Sequence, residues 1–282
     1  MEILGILNIT RDSFSDGGLY LAPDQALAHA RRMAADGAAI IDIGAQSTRP
    51  DAEQVSAEEE LARLTPVVRA LRADGVRISI DTFRPAVMQA AIELGAEFIN
   101  DVNALRDPVA VAVIRDALAN EPLAGVRAAR GSDTFRPPLR VILMHSVARG
   151  PVAERLDISA AHIVDRILAF FRERIATLEA AGIPRERLIL DPGMGLFLST
   201  DPDASLAALR NLDRLAAFGL PLCVSPTRKS FLAHVLTTGG QTRPISERGA
   251  GSLAAELWAA TQGVQYIRTH EVRALHDAWR VW

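Results

Sequence analysis

The sequence predicts a (β/α)₈ barrel formed as a single domain over residues 1–282. Eight short apolar runs each lead into polar residues, at Asn8, Asp42 to Gly44, Asp81, Asn100-Asp101, His145, Asp191, Arg228-Lys229 and Arg268 to His270. Each run is followed by a loop marked by glycine or proline and then a stretch of helical period, the pattern of a parallel strand–helix repeat. The runs are almost continuously apolar, as strands buried on both faces are. The length of 282 residues agrees with the fold, since such barrels take about 250. Their chemistry sits at the C-terminal strand ends, so the polar run ends are the candidate site.

The elements follow in order. Strand one is Glu2 to Ile9, then a Ser/Asp/Gly loop runs from Thr10 to Gly18. A helix covers Pro23 to Asp36 with Gly37 as its stop. Strand two is Ala39 to Gly44, and after a long loop Ser56 to Glu59 form a capping box opening helix two, which Gly75 ends. Strand three is Arg77 to Thr82. Pro85 suits a helix first turn, and Gly95 closes that helix. Strand four is Glu97 to Val102, and helix four Val109 to Asn120. The stretch from Glu121 to Leu139 has no clear period and is read as an insertion at the bottom of the barrel, away from chemistry. Strand five is Arg140 to His145 and helix five Ile158 to Ala181; strand six is Arg187 to Asp191 and helix six Asp203 to Phe218. Strand seven is Leu220 to Val224, helix seven Ala250 to Gln262, strand eight Gln265 to Arg268 and the last helix Val272 to Trp282.

Composition narrows the function. Hydrophobic residues make up 49%, enough for a large core, and the net charge of −3 argues against bulk nucleic-acid or anionic-membrane binding. The one cysteine, Cys223, excludes an internal disulfide and fits a reducing compartment. No apolar run reaches the ~18 residues of a membrane span. The first residues carry an acid and no basic flank, unlike a signal peptide. A cytoplasmic protein acting on small molecules is expected.

The strand ends carry the acids Asp42, Asp81, Asp101 and Asp191, the amides Asn8 and Asn100, the late cations Arg228, Lys229 and Arg268, and His145 and His270. Burying so many charges is costly unless they pair with one another or with a ligand. A salt-bridge ring explains any single one; acids early and cations late fit better with a ligand that has a donor edge and an anionic end. Asn8 is either a turn residue or a neutral oxygen ligand for Mg²⁺, which needs few protein ligands when phosphates supply the rest. The seventh and eighth strand ends often hold phosphate in barrels, which suits Thr227 to Ser230. Gly193 and Gly195 would let a flat ligand approach the backbone. His145, ending an apolar strand, reads as a core residue first. The loops after strands one and two, with Arg11, Phe14 and Asp16 in one and Arg49 and Asp51 in the other, are long and read as a lid.

Gly5 to Thr10, Asp12 to Gly18, Asp42 to Gly44 with Ser47 to Pro50, Ile80 to Thr82 with Pro85, Ile99 to Asp101, Leu190 to Gly193, Arg228 to Phe231 and Arg268 to His270 together resemble the dihydropteroate synthase family. The blocks run in order over nearly the whole chain, one per strand. The resemblance implies a (β/α)₈ barrel that joins 6-hydroxymethyl-7,8-dihydropterin pyrophosphate to 4-aminobenzoate in folate biosynthesis, releasing pyrophosphate, with Mg²⁺. It implies catalytic roles for Asp81, Lys229 and Arg268, and a pterin site of Asp81, Asn100, Asp191, Gly195 and Lys229. Asn8, Arg268 and His270 would take the pyrophosphate, with Mg²⁺ on Asn8. Thr48, Arg49, Pro50, Phe197 and Ser230 would take aminobenzoate. A homodimer through late helices including Trp258 is implied as well.

Departures from the family pattern lie at Met194 to Ser199, Ser225 to Thr227, Asp51 and Glu271. Met144 to Ser146, the 193–199 stretch and Ala254 to Leu257 are similar to the sulfonamide-insensitive branch, whereas Ser47 to Pro50 are similar to the ordinary one. Two alternatives remain: a pterin-binding methyltransferase-like barrel, which would have no use for a pyrophosphate site, and a non-catalytic pterin-binding homologue.

Overall fold

The computed structural model describes residues 1–10, 23–47, 54–121, 138–148 and 150–282. Among them eight parallel strands form one sheet in the order 6-5-4-3-2-1-8-7. The strands are β1 (Glu2–Asn8), β2 (Ile40–Gly44), β3 (Ile78–Asp81), β4 (Phe98–Asp101), β5 (Arg140–Met144), β6 (Leu188–Asp191), β7 (Cys223–Val224) and β8 (Tyr266–Thr269). The helices are α1 (Pro23–Ala35), α2 (Ala57–Ala73), α3 (Pro85–Glu93), α4 (Pro108–Ala119), α5 (Ala160–Ala180), α6 (Pro202–Arg210), α7 (Leu212–Ala216), α8 (Ser230–Val235), α9 (Gly249–Thr261) and α10 (Val272–Val281). The ring closes between β6 and β7 through a single bridge, Leu190 to Leu222, and a bond from the Leu190 N–H to the Pro221 carbonyl. The expected five-residue seventh strand shortens to two because Pro221 has no N–H to give the ladder.

Two concentric cores follow from strand alternation. Leu4, Ile40, Phe98, Ile142, Ile189, Cys223 and Tyr266 fill the barrel itself, with the Phe98 and Tyr266 rings edge to face at 5.9 Å. Their outward neighbours, such as Ile3, Leu7, Ile41, Ile80 and Ile99, pack under the helices. At the bottom Arg77 joins Glu2 and Glu97, and Arg140 donates to the Tyr266 hydroxyl at 2.7 Å.

Half of the expected capping box is present: the Glu59 N–H donates to Ser56 Oγ at 3.1 Å, while the Glu59 carboxylate pairs with Arg63 instead of reaching back. Helix six is two helices rather than one. Asn211 leaves helical geometry at the join (φ −119°, ψ 30°) and its side chain bonds back to the Ala207 carbonyl, the competition with the backbone that makes asparagine a poor helix interior residue. Of the expected insertion only its ends, Glu121 and Leu139, and Pro138 are described; residues 122–137 lie outside the described set.

Candidate active site

The inward positions at the C-terminal strand ends converge on a cavity of about 290 Å³. Asn8, Gly44, Asp81 and Asn100 are successive register partners and so form one rung across four strands. Arg268 is paired in register with Leu4, two inward positions below Asn8. Its long side chain rises past Ile6 to reach two acids. Nε lies 2.8 Å from Asp42 Oδ2, Nη2 also bonds that oxygen, and Nη2 lies 2.8 Å from Asp81 Oδ2. Asn100 Nδ2 donates to the same Asp42 oxygen at 3.3 Å. Asp42 is thus the hub of the floor. Its signal in the sequence was parity: Ile40, Asp42 and Gly44 share one face of a strand.

Burial pushes the Asp81 carboxyl up to about 7; Arg268 opposes the shift and Asp42 adds to it. Burial disfavours the charge on Arg268, but Asp42 and Asp81 outweigh it and raise its pKa. Asp191, 1% exposed, is also raised by burial, against the Gly193 N–H at 2.8 Å and the positive charges of Arg268 and Lys229. Burial holds His270 well below its ordinary range, with Arg228, Lys229 and Arg268 adding to the effect, so its imidazole is neutral. Two acceptors behind the lining residues Asp81 and Arg268, Asp42 Oδ1 and Asn100 Oδ1, are buried without a hydrogen-bond partner. Orphaned acceptors of this kind cost free energy, and they match a ligand that brings N–H donors.

The opposite wall comes from later strands. A short 3₁₀ turn, Gly195–Phe197, packs the Phe197 ring against Val102, Met144 and Ala153. Lys229 Nζ lies 5.4 Å from the centre of that ring. Both Leu196 and Phe197 line the cavity, as do Ser230, Thr227 and His270. Ser230 is the first residue of α8.

Several strand-end residues have other tasks. Asp101 sits one position beyond Asn100 and faces away from the cavity. It accepts the N–H groups of Asn103 and Leu105 at 2.7 and 2.6 Å, holding Ala104 and Leu105 at φ 51° and 53°. His145 packs edge to face on Phe170 at 5.1 Å, and burial drops its pKa to about 3. Arg228 pairs with Glu271. Gly193 serves the protein rather than a flat ligand: at φ 73° a Cβ there would sit 2.3 Å from the His145 carbonyl oxygen. Gly195, at φ 65°, lets the chain pass Ser230, whose Oγ would be 3.1 Å from an added Cβ. Thr48, Arg49, Pro50, Asp51, Arg11, Phe14 and Asp16 lie outside the described residues.

A buried acidic floor, a cationic and neutral-donor wall and an aromatic shelf at the C-terminal mouth define a barrel enzyme for a donor-rich, anionic substrate. The family of pterin binding enzymes matches residues 4–270. The type-2 dihydropteroate synthase of Escherichia coli is 44% identical over 280 residues, covering 99% of this chain and 94% of that protein. The dihydropteroate synthase of Xanthomonas albilineans solved with 4-aminobenzoic acid superposes with a TM-score of 0.82 at 38% identity, covering 100% of this chain and 91% of that one. The same enzyme solved with 7,8-dihydropteroate gives a TM-score of 0.78 at 36% identity, covering 100% and 92%. The chain belongs to the dihydropteroate synthases, transferases within the pterin-binding enzymes.

Proposed function

We propose that this chain condenses 6-hydroxymethyl-7,8-dihydropterin pyrophosphate with 4-aminobenzoate, giving 7,8-dihydropteroate and pyrophosphate. The orphaned buried acceptors of Asp42 and Asn100, beside the buried carboxylate of Asp191, carry this reading. The amino-pyrimidine edge of a pterin supplies the N–H donors they lack, and carboxylate acceptors make such bonds charge-assisted. Relatives solved with 4-aminobenzoic acid and with 7,8-dihydropteroate support both ends of the site.

Asp191 and Asn100 would hold the pterin edge. Asp81 would stabilise the electron-poor methylene as its bond to pyrophosphate oxygen breaks. Arg268, Lys229 and the neutral His270 would receive the anion that departs, an arrangement that stabilises charge where it develops. The aniline nitrogen of aminobenzoate then attacks the methylene carbon, forming the C–N bond and losing a proton to solvent. Ser230 at the start of α8 would bind the carboxylate, Phe197 and Lys229 would flank the ring, and Thr48, Arg49 and Pro50 would cover it.

Among the described residues no group of three or more His, Cys, Asp or Glu could hold a metal ion. Asn8 fits an ion that arrives with its own phosphate ligands, since its side chain is a neutral oxygen donor lining the cavity. Bound there, Mg²⁺ would neutralise charge on the pyrophosphate. Trp258 on α9, with Val281 and Trp282 at the chain end, exposes apolar surface, which suits pairing of two copies. No described helix is long and apolar enough to cross a membrane, and the setting proposed is the cytoplasm.

The test is pyrophosphate release from the purified protein with both substrates, with and without Mg²⁺. Release that needs both substrates and stops in excess chelator is the expected result. Absence of release with both present, or full turnover in chelator, refutes the corresponding part of the reading.

A further inference from the structure

Arg228 ends the β7 loop at φ 55°, a left-handed backbone that residues with a Cβ rarely adopt and that persists only where the surroundings impose it. The described residues contain two other non-glycine cases, Ala104 and Leu105, both inside the turn capped by Asp101. Arg228 has a different set of restraints. Its N–H donates to Ser252 Oγ at 2.9 Å, and its carbonyl accepts from Arg248 Nη1 at 2.9 Å. Its guanidinium pairs with Glu271. Ser252 gives its own hydroxyl proton to the Arg248 carbonyl at 2.9 Å, which leaves its oxygen lone pairs for the Arg228 N–H. These restraints come from two elements: from α9 and the residue before it, and from Glu271, two residues past the end of β8. Ser252 is fully buried, so its hydroxyl serves these two bonds and no solvent contact.

What the turn controls lies immediately downstream. Lys229 is the next residue, with its ammonium over the Phe197 ring. Ser230 follows, opening α8 where Gly195 makes room for it. A change of φ at Arg228 would rotate both away from the cavity together. We infer that Ser252, Arg248 and Glu271 are positioning residues of the reaction, holding Arg228 in its left-handed turn so that Lys229 and Ser230 meet the substrates. The inference rests on the reading of Lys229 and Ser230 as substrate contacts given above.

The experiment is a double-mutant cycle on the full chain: Ser252→Ala, Arg228→Gly and the two combined. It is read as kcat and KM for each substrate, with Tm measured in parallel. In the background that keeps Arg228, Ser252→Ala should cut kcat/KM for aminobenzoate roughly 10- to 100-fold, the scale of a small misplacement. In the Arg228→Gly background the same change should cost less than about twofold, because glycine takes positive φ without being held. Equal losses in both backgrounds, or no kinetic loss from Ser252→Ala, overturn the inference. If Ser252→Ala does not fold, Arg248→Met removes the carbonyl anchor from a partly exposed position, and the same comparison decides. A parent protein that releases no pyrophosphate would instead overturn the proposed function, and the control arm shows that separately.

Discussion

Arg268 on β8 and Asp42 on β2 stand 226 residues apart in sequence, yet their side chains meet at 2.8 Å across the barrel floor. β1 lies between their strands, so the pair is bridged over a neighbour by the length of the arginine. The same guanidinium holds Asp81. One cation therefore serves two acids, and Asp81 carries the consequence.

Burial lifts Asp81 to about 7, with Asp42 adding to the shift and Arg268 opposing it. The ionised form is the better acceptor for pterin donors and the better stabiliser of an electron-poor methylene. Pterin affinity should accordingly be highest above that value and fall as the pH drops through it. Calorimetric titration of the pterin substrate between about pH 6 and 8 checks this, with Asp81→Asn as reference because it has no carboxyl to titrate. A pH dependence that survives unchanged in Asp81→Asn belongs to the substrate and defeats the assignment.

Asp191→Asn should weaken pterin binding more than tenfold at nearly unchanged shape. The residue is 1% exposed and one oxygen already takes the Gly193 N–H at 2.8 Å. An amide would turn one acceptor into a donor facing donors. Hydrogen bonds to charged groups are worth roughly 1.5–3 kcal/mol, and tenfold is about 1.4. Equal affinity of the two proteins in titration would place the pterin edge elsewhere.

The ring of strand ends was legible because each polar or charged residue interrupts an apolar run, which a buried strand tolerates only where a site needs it. Asp42, Asp81, Asn100, Asp191 and Arg268 all stand out that way. Which of two neighbours faces the cavity was not legible at β4. Asn100 and Asp101 are both polar and both buried, and only the strand register sends the first inward and the second to cap a turn. Arg228 and Lys229 pose the same problem in a loop, where no alternation applies. The sign of φ at Arg228 and its pairing with Glu271 depend on α9 and the β8 end, far along the chain. Gly193 likewise looked like room for a ligand, when the neighbour that needs the room is the His145 carbonyl.

Glu256 offers a stability test apart from catalysis. It lies fully buried on α9 with neither carboxylate oxygen hydrogen-bonded. Burial pushes it up to about 8 from 4.5; Glu271 adds to the rise and Arg228 opposes it. Its folded value is raised, so its contribution to stability is complete below about 4.5 and is lost as pH rises through 8. Glu256→Gln mimics the neutral acid at every pH. The two proteins should melt alike near pH 5, and the glutamine variant should gain on the order of 1–3 kcal/mol, a few degrees in Tm, near pH 8. A Tm difference that does not grow with pH would mean that the carboxyl is not held neutral.

Residues 122–137 should be removable. The ends they connect are already fastened to one another. Glu121 Oε1 accepts the Leu139 N–H at 2.6 Å, Glu121 Oε2 pairs with Arg187 at 2.8 Å, and Arg187 Nη1 donates to the Leu139 carbonyl at 3.3 Å. This clasp joins the end of α4 to the entry of β5, at the opposite end of the barrel from Asp81 and Arg268. A short Gly/Ser link that keeps Glu121 and Leu139 therefore preserves every described contact at the junction. Turnover within a few-fold of the parent and an equal Tm are the expected outcomes. Glu121→Ala in the shortened chain should lower Tm without a matching fall in kcat, because the clasp supports the bottom of the barrel and not its mouth. A shortened protein that melts normally but has lost catalysis would show instead that the segment reaches a working active site, its own or that of a second copy.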